Sequence, residues 1–334
     1  MTSSSAAVCV IIAARNASKT IARAVRSALR ESRVAEVVVV DDGWTDATAA
    51  MAREADDGSG RLQILVLDSN RGPAAARNHA IAHSSAPLIA VLDADDFFLP
   101  GRFDSLLVGD DWDFVADNIV FIDQRNGAPE PEVPLFAAEP RFLDLERFVD
   151  GNISRRGAAR GEIGFLKPVM RRAFLDRHGL RYREELRLGE DYELYARALL
   201  VGARYKVVHG CGYCAVVRPD SLSSRHRTID LRRLYEADCA LATAPGLPAS
   251  ARRVLGRQAR HNRARYQLRH FLDVKAEAGL VKAGLDALAH PRTLPTLLAS
   301  IAVEMLDASR NRRSAPSEAR QPRYLLPGRL AEQR

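Results

Sequence analysis

The sequence has few cysteines and no long hydrophobic run. Its four cysteines, Cys9, Cys211, Cys214 and Cys239, are too few and too scattered for a disulfide framework. Cys211 and Cys214 have metal or redox spacing, but no second pair follows, which favours structural thiols over a zinc site. No run approaches the roughly 20 apolar residues that span a bilayer, and the first residues lack the basic start of a signal peptide. The sequence therefore predicts a cytoplasmic protein.

The excess of positive charge is confined to the C-terminal third. Residues 228–334 contain 19 Lys and Arg against 10 Asp and Glu, whereas residues 1–227 contain 30 against 32. This asymmetry indicates an anionic partner, either nucleic acid or a membrane surface, and a solvated helical face is the alternative. The segment lacks the interleaved aromatic residues of a single-strand binder and any groove-reading motif, which disfavours nucleic acid.

Short apolar strands alternate with Ala-rich helical stretches at the start of the chain. The predicted strands are residues 8–13, 36–40, 62–67 and 87–92, and the predicted helices are residues 18–30, 46–55 and 73–83. Continuous apolar strands separated by helices predict a mostly parallel sheet with helices on both faces, an α/β fold. Ligands of such open sheets bind beyond the carboxyl ends of the strands.

Polar and charged residues follow every one of these strands. They are Arg15 after the first, Asp41 and Asp42 after the second, Asp68 after the third, and Asp93, Asp95 and Asp96 after the fourth. Such a cluster of acids repels itself unless a cation neutralises it. Carboxylates at positions i and i+2 suit Mg²⁺ or Mn²⁺ with coordination positions left open for substrate phosphates. The predicted chemistry is activation of a diphosphate leaving group.

The sequence contains the motif of neither a dinucleotide-binding site nor a Walker-type phosphate site. The first strand is followed by AARNASK, which contains neither G-x-G-x-x-G nor G-x-x-x-x-G-K-[ST], so dehydrogenases and P-loop enzymes are excluded. Asp42 is placed to accept a hydrogen bond from a nucleobase ring N–H, and Arg77 to pair with phosphate oxygens. These are roles for a nucleotide.

Five segments together resemble the nucleotide-sugar glycosyltransferases of glycosyltransferase family 2. They are residues 10–16 (VIIAARN), 38–46 (VVVDDGWTD), 70–78 (NRGPAAARN), 92–96 (LDADD) and 189–193 (GEDYE), in the order of the family. The resemblance covers residues 6–227, and the whole chain is similar to bacterial exopolysaccharide glucosyltransferases of the succinoglycan type. Each segment alone would be a weak signal, whereas the ordered set is specific.

The resemblance implies a GT-A fold and inverting transfer from a nucleoside diphosphate sugar. Asp95 matches the metal-binding acid of the DxD motif, and Asp93 matches the acid near the ribose and phosphates of the donor. Asp42 matches the acid that pairs with uracil, and Asp191 matches the catalytic base. Single-step inversion needs one such carboxylate opposite the leaving group. From spacing alone, acids at this helix start are better explained as complementing the helix dipole, and the resemblance is what favours a base.

The sequence departs from the family pattern in the nucleotide-binding segments. Ala13 stands where the family usually has Pro, Arg15 where it has a ring-stacking residue, and Trp44 where it has Ser. Arg15 retains a way to lie flat on a base, because guanidinium planes stack on bases. We expect Ala13, Arg15 and Asp41 to contribute to the nucleotide-sugar site with Asp42, Arg77 and Asp93.

The remainder of the chain offers weaker signals. Residues 150–164 are rich in Gly, Arg and Ser and are interpreted as an acceptor-side lid or a simple surface loop. His226 lies where the family often folds a loop over the donor phosphates, so it is a candidate metal or phosphate ligand. An apolar stripe follows in the predicted C-terminal helices: Leu294, Leu297, Leu298, Ile301 and Met305. The stripe fits either an interfacial helix on an anionic membrane or packing within its own domain.

We therefore expect a GT-A domain over residues 1–227, a helical basic region over 228–309 and a disordered tail over 310–334. The expected activity is Mn²⁺- or Mg²⁺-dependent transfer of a hexose, glucose from UDP-glucose, to a saccharide acceptor. If the acceptor is carried on a polyprenyl diphosphate, the enzyme works at the inner membrane face. The alternatives are a sugar-nucleotide pyrophosphorylase, whose Gly-rich loop after the first strand is absent, and a receiver-like signalling module, whose acids would follow other strands.

Overall fold

The computed structural model describes residues 7–43, 45–122, 141–153, 163–217, 227–289, 294–311 and 323–326. The chain divides into two compact units, one of Met1–Pro219 with Pro322–Arg334 and one of Asp220–Gln321. The first unit contains a ten-stranded sheet, and the second is helical. Among the described residues, no helix combines the length and apolar composition needed to cross a membrane.

The first half of the sheet is parallel, as predicted. Its strands are β1 (Val8–Ala14), β2 (Val34–Asp42), β3 (Leu62–Leu67) and β4 (Leu88–Val91), in the order β3-β2-β1-β4. They alternate with α1 (Ile21–Leu29), α2 (Thr48–Arg53) and α3 (Pro73–Ala82). Alternate residues of β1 are buried on opposite faces: Val8, Val10 and Ile12 pack in one cluster with α1, and α3 contacts β1 and β2. The predicted fold class is confirmed.

The second half of the sheet is mixed and was not predicted strand by strand. Its elements are β5 (Phe97–Phe98), α4 (Arg102–Leu106), β6 (Phe114–Ile122), β7 (Arg141–Leu143), α5 (Leu145–Asp150), a 3₁₀ turn (Ile163–Phe165), β8 (Val169–Arg171), α6 (Arg172–Arg177), α7 (Glu190–Leu200) and β9 (Tyr205–Val216). Strand β6 pairs in parallel with β9 and antiparallel with β8, which in turn pairs antiparallel with β4. Strands β5, β7 and β8 have only two or three residues and carry no periodic signal, so sequence pattern alone does not find these three.

The last strand, β10 (Arg323–Tyr324), corrects two expectations about the C-terminal region. It pairs antiparallel with β6, and the Asn118 side chain accepts a hydrogen bond from the Leu326 N–H at 2.8 Å and donates one to its carbonyl at 3.0 Å. The expectation of a disordered tail is therefore wrong for residues 323–326. The division between the units also falls eight residues before the predicted boundary at 227, and residues 322–334 belong to the first unit.

The helical unit contains α8 (Thr228–Ala242), α9 (Ala249–Leu288) and α10 (Leu294–Asn311). Helix α9 is interrupted at Gly279, whose φ of 81° is left-handed. The His270 ring lies 3.2 Å from the Asp286 carboxylate, a contact that sixteen residues of straight helix would not allow, so residues 280–288 fold back on the preceding part.

The helical unit leaves part of its apolar surface uncovered. Four residues after the α9 break are 59–79% exposed: Leu280, Val281, Leu285 and Leu288. In the predicted stripe of α10, Leu297 is buried whereas Leu298 is 62% exposed, and the Met305 side chain lies outside the description. One member of the stripe therefore packs within its own unit while its neighbour does not.

A buried ion pair joins α4 to β6 in the core of the first unit. The Arg102 guanidinium contacts the Asp117 carboxylate at 2.8 Å, and both side chains are at most 2% exposed. Arg102 also donates to the Lys167 carbonyl at 2.7 Å, and the Gly212 N–H donates to Asp117 at 2.7 Å. A Cβ at Gly212 would lie 2.4 Å from the Arg102 side chain, so only glycine allows this close approach.

We expect the Arg102–Asp117 pair to be strongly coupled. Asp117→Leu leaves a guanidinium buried without its carboxylate and should cost about 3–5 kcal/mol of unfolding free energy. Arg102→Met/Asp117→Leu should be less destabilised than Asp117→Leu alone, because no unpaired charge remains. Urea unfolding measures both. Asp104→Ala, which breaks the exposed pair with Arg33, is the control and should cost less than about 1 kcal/mol. Wild-type stability of Asp117→Leu would contradict the coupling.

Candidate active site

Four charged side chains form a closed ring beyond the carboxyl end of β4. We call Arg77, Asp93, Lys167 and Asp191 the ion-pair ring. The Arg77 guanidinium contacts Asp93 at 2.8 Å and Asp191 at 3.1 Å. The Lys167 ammonium contacts the second oxygen of each carboxylate, at 2.9 Å for Asp93 and 2.7 Å for Asp191. The ring brings together Asp93 and Asp191, which lie almost a hundred residues apart in the sequence. The family resemblance assigned Asp93 to the donor and Asp191 to the role of catalytic base.

Arg77 is enclosed by acids. It projects from α3, where Pro73 occupies the first turn, and its side chain is 5% exposed. Besides the two ring carboxylates it contacts Glu190 at 2.8 Å. Burial would lower the pKa of Arg77, but Asp191, Asp93 and Glu190 raise it well above its ordinary value. The predicted phosphate-binding side chain is thus a permanent cation directed at three carboxylates.

Asp191 enters the ring from the first turn of α7. Helix α7 starts after Gly189, which has a left-handed φ of 74°, and Glu190, Asp191 and Glu193 all lie in its first turn. Carboxylates there complement the helix dipole. Glu193 is fully buried and pairs with Arg197 and Arg183, so it serves the packing of α7. Glu190 and Asp191 instead face Arg77, and burial raises the pKa of Glu190 despite that guanidinium.

Lys167 was missed by the sequence analysis. It lies between the 3₁₀ turn and β8, and its side chain is 6% exposed. Burial would lower the pKa of Lys167, but Asp191 and Asp93 raise it, which keeps the ammonium charged. Burial would likewise raise the pKa of Asp93, yet Lys167 and Arg77 hold it far below its ordinary value. The available signal was a single lysine inside the apolar run FLKPVM.

Asp95 and Asp96 occupy the turn after Asp93, closed by a 3.0 Å bond from the Asp96 N–H to the Asp93 carbonyl. Asp96 accepts hydrogen bonds from the Tyr213 hydroxyl at 2.8 Å and the Val216 N–H at 2.9 Å. Burial and the charges of Asp93 and Asp95 raise the pKa of Asp96 well above its usual range. Asp96 therefore ties the turn to β9, while Asp95 is half-buried at the turn.

The turn fits a divalent cation that takes most of its ligands from a substrate. Among the described residues, no group of three or more His, Cys, Asp or Glu side chains is arranged to hold a metal. Asp93 is engaged by two cations and Asp96 by β9, and Asp95 is the third carboxylate of this turn and is half-buried. Mg²⁺ is commonly held by one or two carboxylates together with substrate phosphates, so this donor set is compatible with such an ion.

Asp42 organises the loop between β3 and α3. Its two carboxylate oxygens accept hydrogen bonds from the Arg71 N–H at 2.6 Å and the Gly72 N–H at 2.7 Å. The next residue, Gly43, has a φ of 80°, and a Cβ there would lie 2.6 Å from the Asn70 nitrogen. The glycine therefore permits the β2–α2 turn to touch the loop. Each oxygen of Asp42 retains capacity for a further donor, since a carboxylate has about four acceptor sites.

The other predicted nucleotide-site residues lie at the same edge of the sheet but differ in exposure. Ala13 is half-buried and Arg15 is exposed beyond the end of β1. Asp41 pairs with Ala14 in the sheet and points to the face opposite Asp42. There it lines a cavity of about 260 Å³ beside α2. Burial and the Asp46 charge raise the pKa of Asp41.

Three features singled out in the sequence lie outside the described residues. They are Trp44, residues 154–162 of the Gly/Arg/Ser-rich segment, and His226. Their predicted roles as part of the base pocket, acceptor lid and metal or phosphate ligand stay predictions.

The chain is similar to proteins of known family and fold. Residues 9–176 match the family described as glycosyl transferase family 2. Over 304 residues, 91% of this chain and 89% of the relative, it is 60% identical to the succinoglycan biosynthesis protein ExoU of Rhizobium meliloti (strain 1021).

Two solved structures share the fold. TarS 1-349 from S. aureus, in complex with UDP-GlcNAc, has a TM-score of 0.56 and 19% identity, covering 88% of this chain and 79% of that one. The mannosyltransferase PcManGT from Pyrobaculum calidifontis, with GDP-Man and Mn²⁺, has a TM-score of 0.50 and 17% identity, covering 90% and 87%. The family match decides against a pyrophosphorylase or a receiver-like module: this chain belongs to glycosyl transferase family 2.

Proposed function

We propose that this protein is a divalent-metal-dependent, inverting hexosyltransferase that moves glucose from UDP-glucose to a saccharide hydroxyl in bacterial exopolysaccharide synthesis. The observation that carries the proposal is the ion-pair ring, in which Arg77 and Lys167 each contact both Asp93 and Asp191. An acid suited to the donor and an acid suited to the acceptor hydroxyl thus stand side by side.

The donor nucleotide would lie along the carboxyl edge of β1, β2 and β4. Arg15 is exposed there and supplies a flat cation for stacking on the base. Asp42 retains lone pairs for a ring N–H, and Ala13 leaves room beside it. Asp93 would face the ribose and diphosphate. Asp41 and Arg77 would act indirectly. Asp41 would support the β2–α2 turn from beneath, and Arg77 would orient the carboxylates that it contacts.

The transfer step would use Asp191 as general base. As the acceptor oxygen attacks the anomeric carbon and the bond to the diphosphate breaks, the hydroxyl proton passes to the Asp191 carboxylate. A divalent cation bound by Asp95 and the diphosphate would stabilise the negative charge of the leaving group. His226 would be a further ligand to the metal or the phosphates.

The similar proteins support the finer parts of the proposal. ExoU takes part in succinoglycan biosynthesis by name, which supports exopolysaccharide synthesis for a chain 60% identical to it. The UDP-GlcNAc complex of TarS supports a UDP-sugar donor. The Mn²⁺ complex of PcManGT supports a divalent ion.

Thermal shift with a panel of nucleotide sugars tests the donor assignment. We expect UDP-glucose with Mn²⁺ or Mg²⁺ to raise the melting temperature more than GDP-mannose or UDP-GlcNAc, because a ligand that binds only the native state stabilises it. EDTA should reduce the shift. No protection by any nucleotide sugar, with or without metal, would contradict the proposed function.

Substitution of the two acids should separate metal binding from base catalysis. Asp95→Asn should weaken metal-dependent binding of UDP-glucose. Asp191→Asn should leave that binding nearly unchanged but lower the transfer rate by about 10²- to 10⁴-fold, the usual contribution of a general base. Calorimetry measures the binding and radiolabelled sugar transfer measures the rate.

Asp110→Asn, which alters a fully exposed carboxylate, is the control and should change neither quantity. Equal loss of donor binding in Asp95→Asn and Asp191→Asn would show that Asp191 is not the acceptor-side base.

We further propose that the helical unit binds the anionic inner face of the cytoplasmic membrane, where a polyprenyl-diphosphate-linked acceptor would be found. The residues of this unit, Asp220–Gln321, contain 18 Lys and Arg against 10 Asp and Glu. Next to the α9 break, Val281, Leu285 and Leu288 recur at i, i+4 and i+7, which places them on one helix face, and each is at least 59% exposed. Each Lys or Arg near an anionic surface contributes about 1 kcal/mol.

Liposome co-sedimentation tests the membrane contact. We expect the protein to sediment with vesicles containing anionic lipid, less at high salt, and hardly with neutral vesicles. Val281→Ser/Leu285→Ser/Leu288→Ser should reduce binding, whereas Val108→Ser, a 62% exposed position of the first unit, should not. Equal recovery of the unsubstituted protein in the supernatant with both vesicle types would contradict the contact.

A further inference from the structure

Lys167 is anchored at both ends. Its ammonium lies 2.7 Å from Asp191 Oδ2 and 2.9 Å from Asp93 Oδ2. Its backbone carbonyl accepts a hydrogen bond of 2.7 Å from Arg102, which is itself held by Asp117. A lysine has four rotatable bonds and normally loses considerable entropy when its charge is fixed. Anchors at both ends restrict the ammonium to one place.

The Asp191 carboxylate needs two contacts to have a fixed plane. Arg77 contacts Oδ1 at 3.1 Å and Lys167 contacts Oδ2 at 2.7 Å. With the Arg77 contact alone, the carboxylate could turn about its Cβ–Cγ bond, because terminal torsions of this kind are broad. The Lys167 contact on the other oxygen removes that freedom. It is also the shorter of the two contacts.

We propose that Lys167 is a positioning residue for sugar transfer: it fixes the plane of the Asp191 carboxylate and links the proposed base to the donor-side acid Asp93. The catalytic meaning of this role rests on the proposed function, whereas the effect of Lys167 on Asp191 does not. Lys167 thereby couples the position of the base to the turn that would hold the donor diphosphate.

The charges around Asp191 determine the sign of the effect. The cations that face it are Arg77 from α3 and Lys167, and the anions are Glu190 on its own helix and Asp93 after β4. Burial, followed by the Asp191 charge, raises the pKa of the phenols of Tyr182, Tyr195 and Tyr205. Without Lys167, one cation remains for three carboxylates. Removal of an opposite charge from beside the proposed base should then move the acid limb of the transfer profile to higher pH.

The pH dependence of transfer tests the proposal. In Lys167→Met, the acid limb of the kcat/KM profile should move about 1–3 pH units higher, the range expected when a nearby opposite charge is lost. Lys167→Gln keeps a hydrogen-bond donor but removes the charge, so it should move the acid limb by a similar amount. This variant replaces Lys167→Met in the test if Lys167→Met does not fold. Lys167→Arg should leave the limb near its original position. KM for the donor should change less than kcat.

Lys206 provides a matched control. Like Lys167, it is a buried lysine of the first unit paired with an aspartate, Asp111, at 3.0 Å, but it lies outside the ion-pair ring. Lys206→Met should leave the acid limb in place even if it lowers stability. An acid limb unchanged in Lys167→Met and Lys167→Gln, or moved equally in Lys206→Met, would overturn the proposal.

Carbon-13 NMR of labelled aspartate carboxyls tests the same point without activity. The Asp191 signal, assigned by its absence in Asp191→Asn, should shift more in Lys167→Met and Lys167→Gln than in Lys206→Met, because Asp191 Oδ2 loses its 2.7 Å contact. If the unsubstituted protein transfers no sugar but this shift occurs, the proposed function fails and the effect of Lys167 on Asp191 stands. An Asp191 signal at the same position in all these proteins would refute that effect directly.

Discussion

The structure of the candidate active site depends on two buried cations that contact three carboxylates. Arg77 and Lys167 face Asp93, Asp191 and Glu190. Removing such charges from water is costly, and only well-formed pairs offset the cost. If any one of these side chains moved away, the group that it contacts would become an unpaired buried charge. The four elements that supply these side chains are therefore held in one relative position.

The ring joins the two halves of the sheet. Arg77 comes from α3 and Asp93 from the turn after β4 in the parallel half, whereas Lys167 comes from the segment before β8 and Asp191 from α7. Behind Lys167, the Arg102–Asp117 pair extends the same network into the core. Tyr213 and Asp96 attach the turn after Asp93 to β9. The acids proposed for the donor and for the acceptor thus share one support, and such a fixed arrangement is what the proposed single displacement step needs.

The parallel half could be predicted because its signals are local, whereas the roles of Asp93 and Asp191 stay predictions. Strand and helix periodicities span ten residues, and the motifs place acids at strand and helix ends. Lys167 could not be predicted, since a single lysine in an apolar run acquires meaning only when distant carboxylates fold around it. The same holds for β10, whose partner β6 lies some two hundred residues earlier. For Asp42, the sequence motif was recognised but the structural role was not. Its two hydrogen bonds to backbone N–H groups depend on how the loop before α3 closes, and no sequence pattern encodes that closure.

A crystal structure of Asp191→Asn with UDP-glucose and Mn²⁺ tests the central claim most directly, because the variant should retain the donor without consuming it. The account predicts that the diphosphate lies against the turn of Asp93 and Asp95. It also predicts that the anomeric carbon faces residue 191 across a gap that admits an acceptor hydroxyl, with the diphosphate on the opposite side. A sugar directed away from residue 191, or a diphosphate bound away from this turn, would contradict the account.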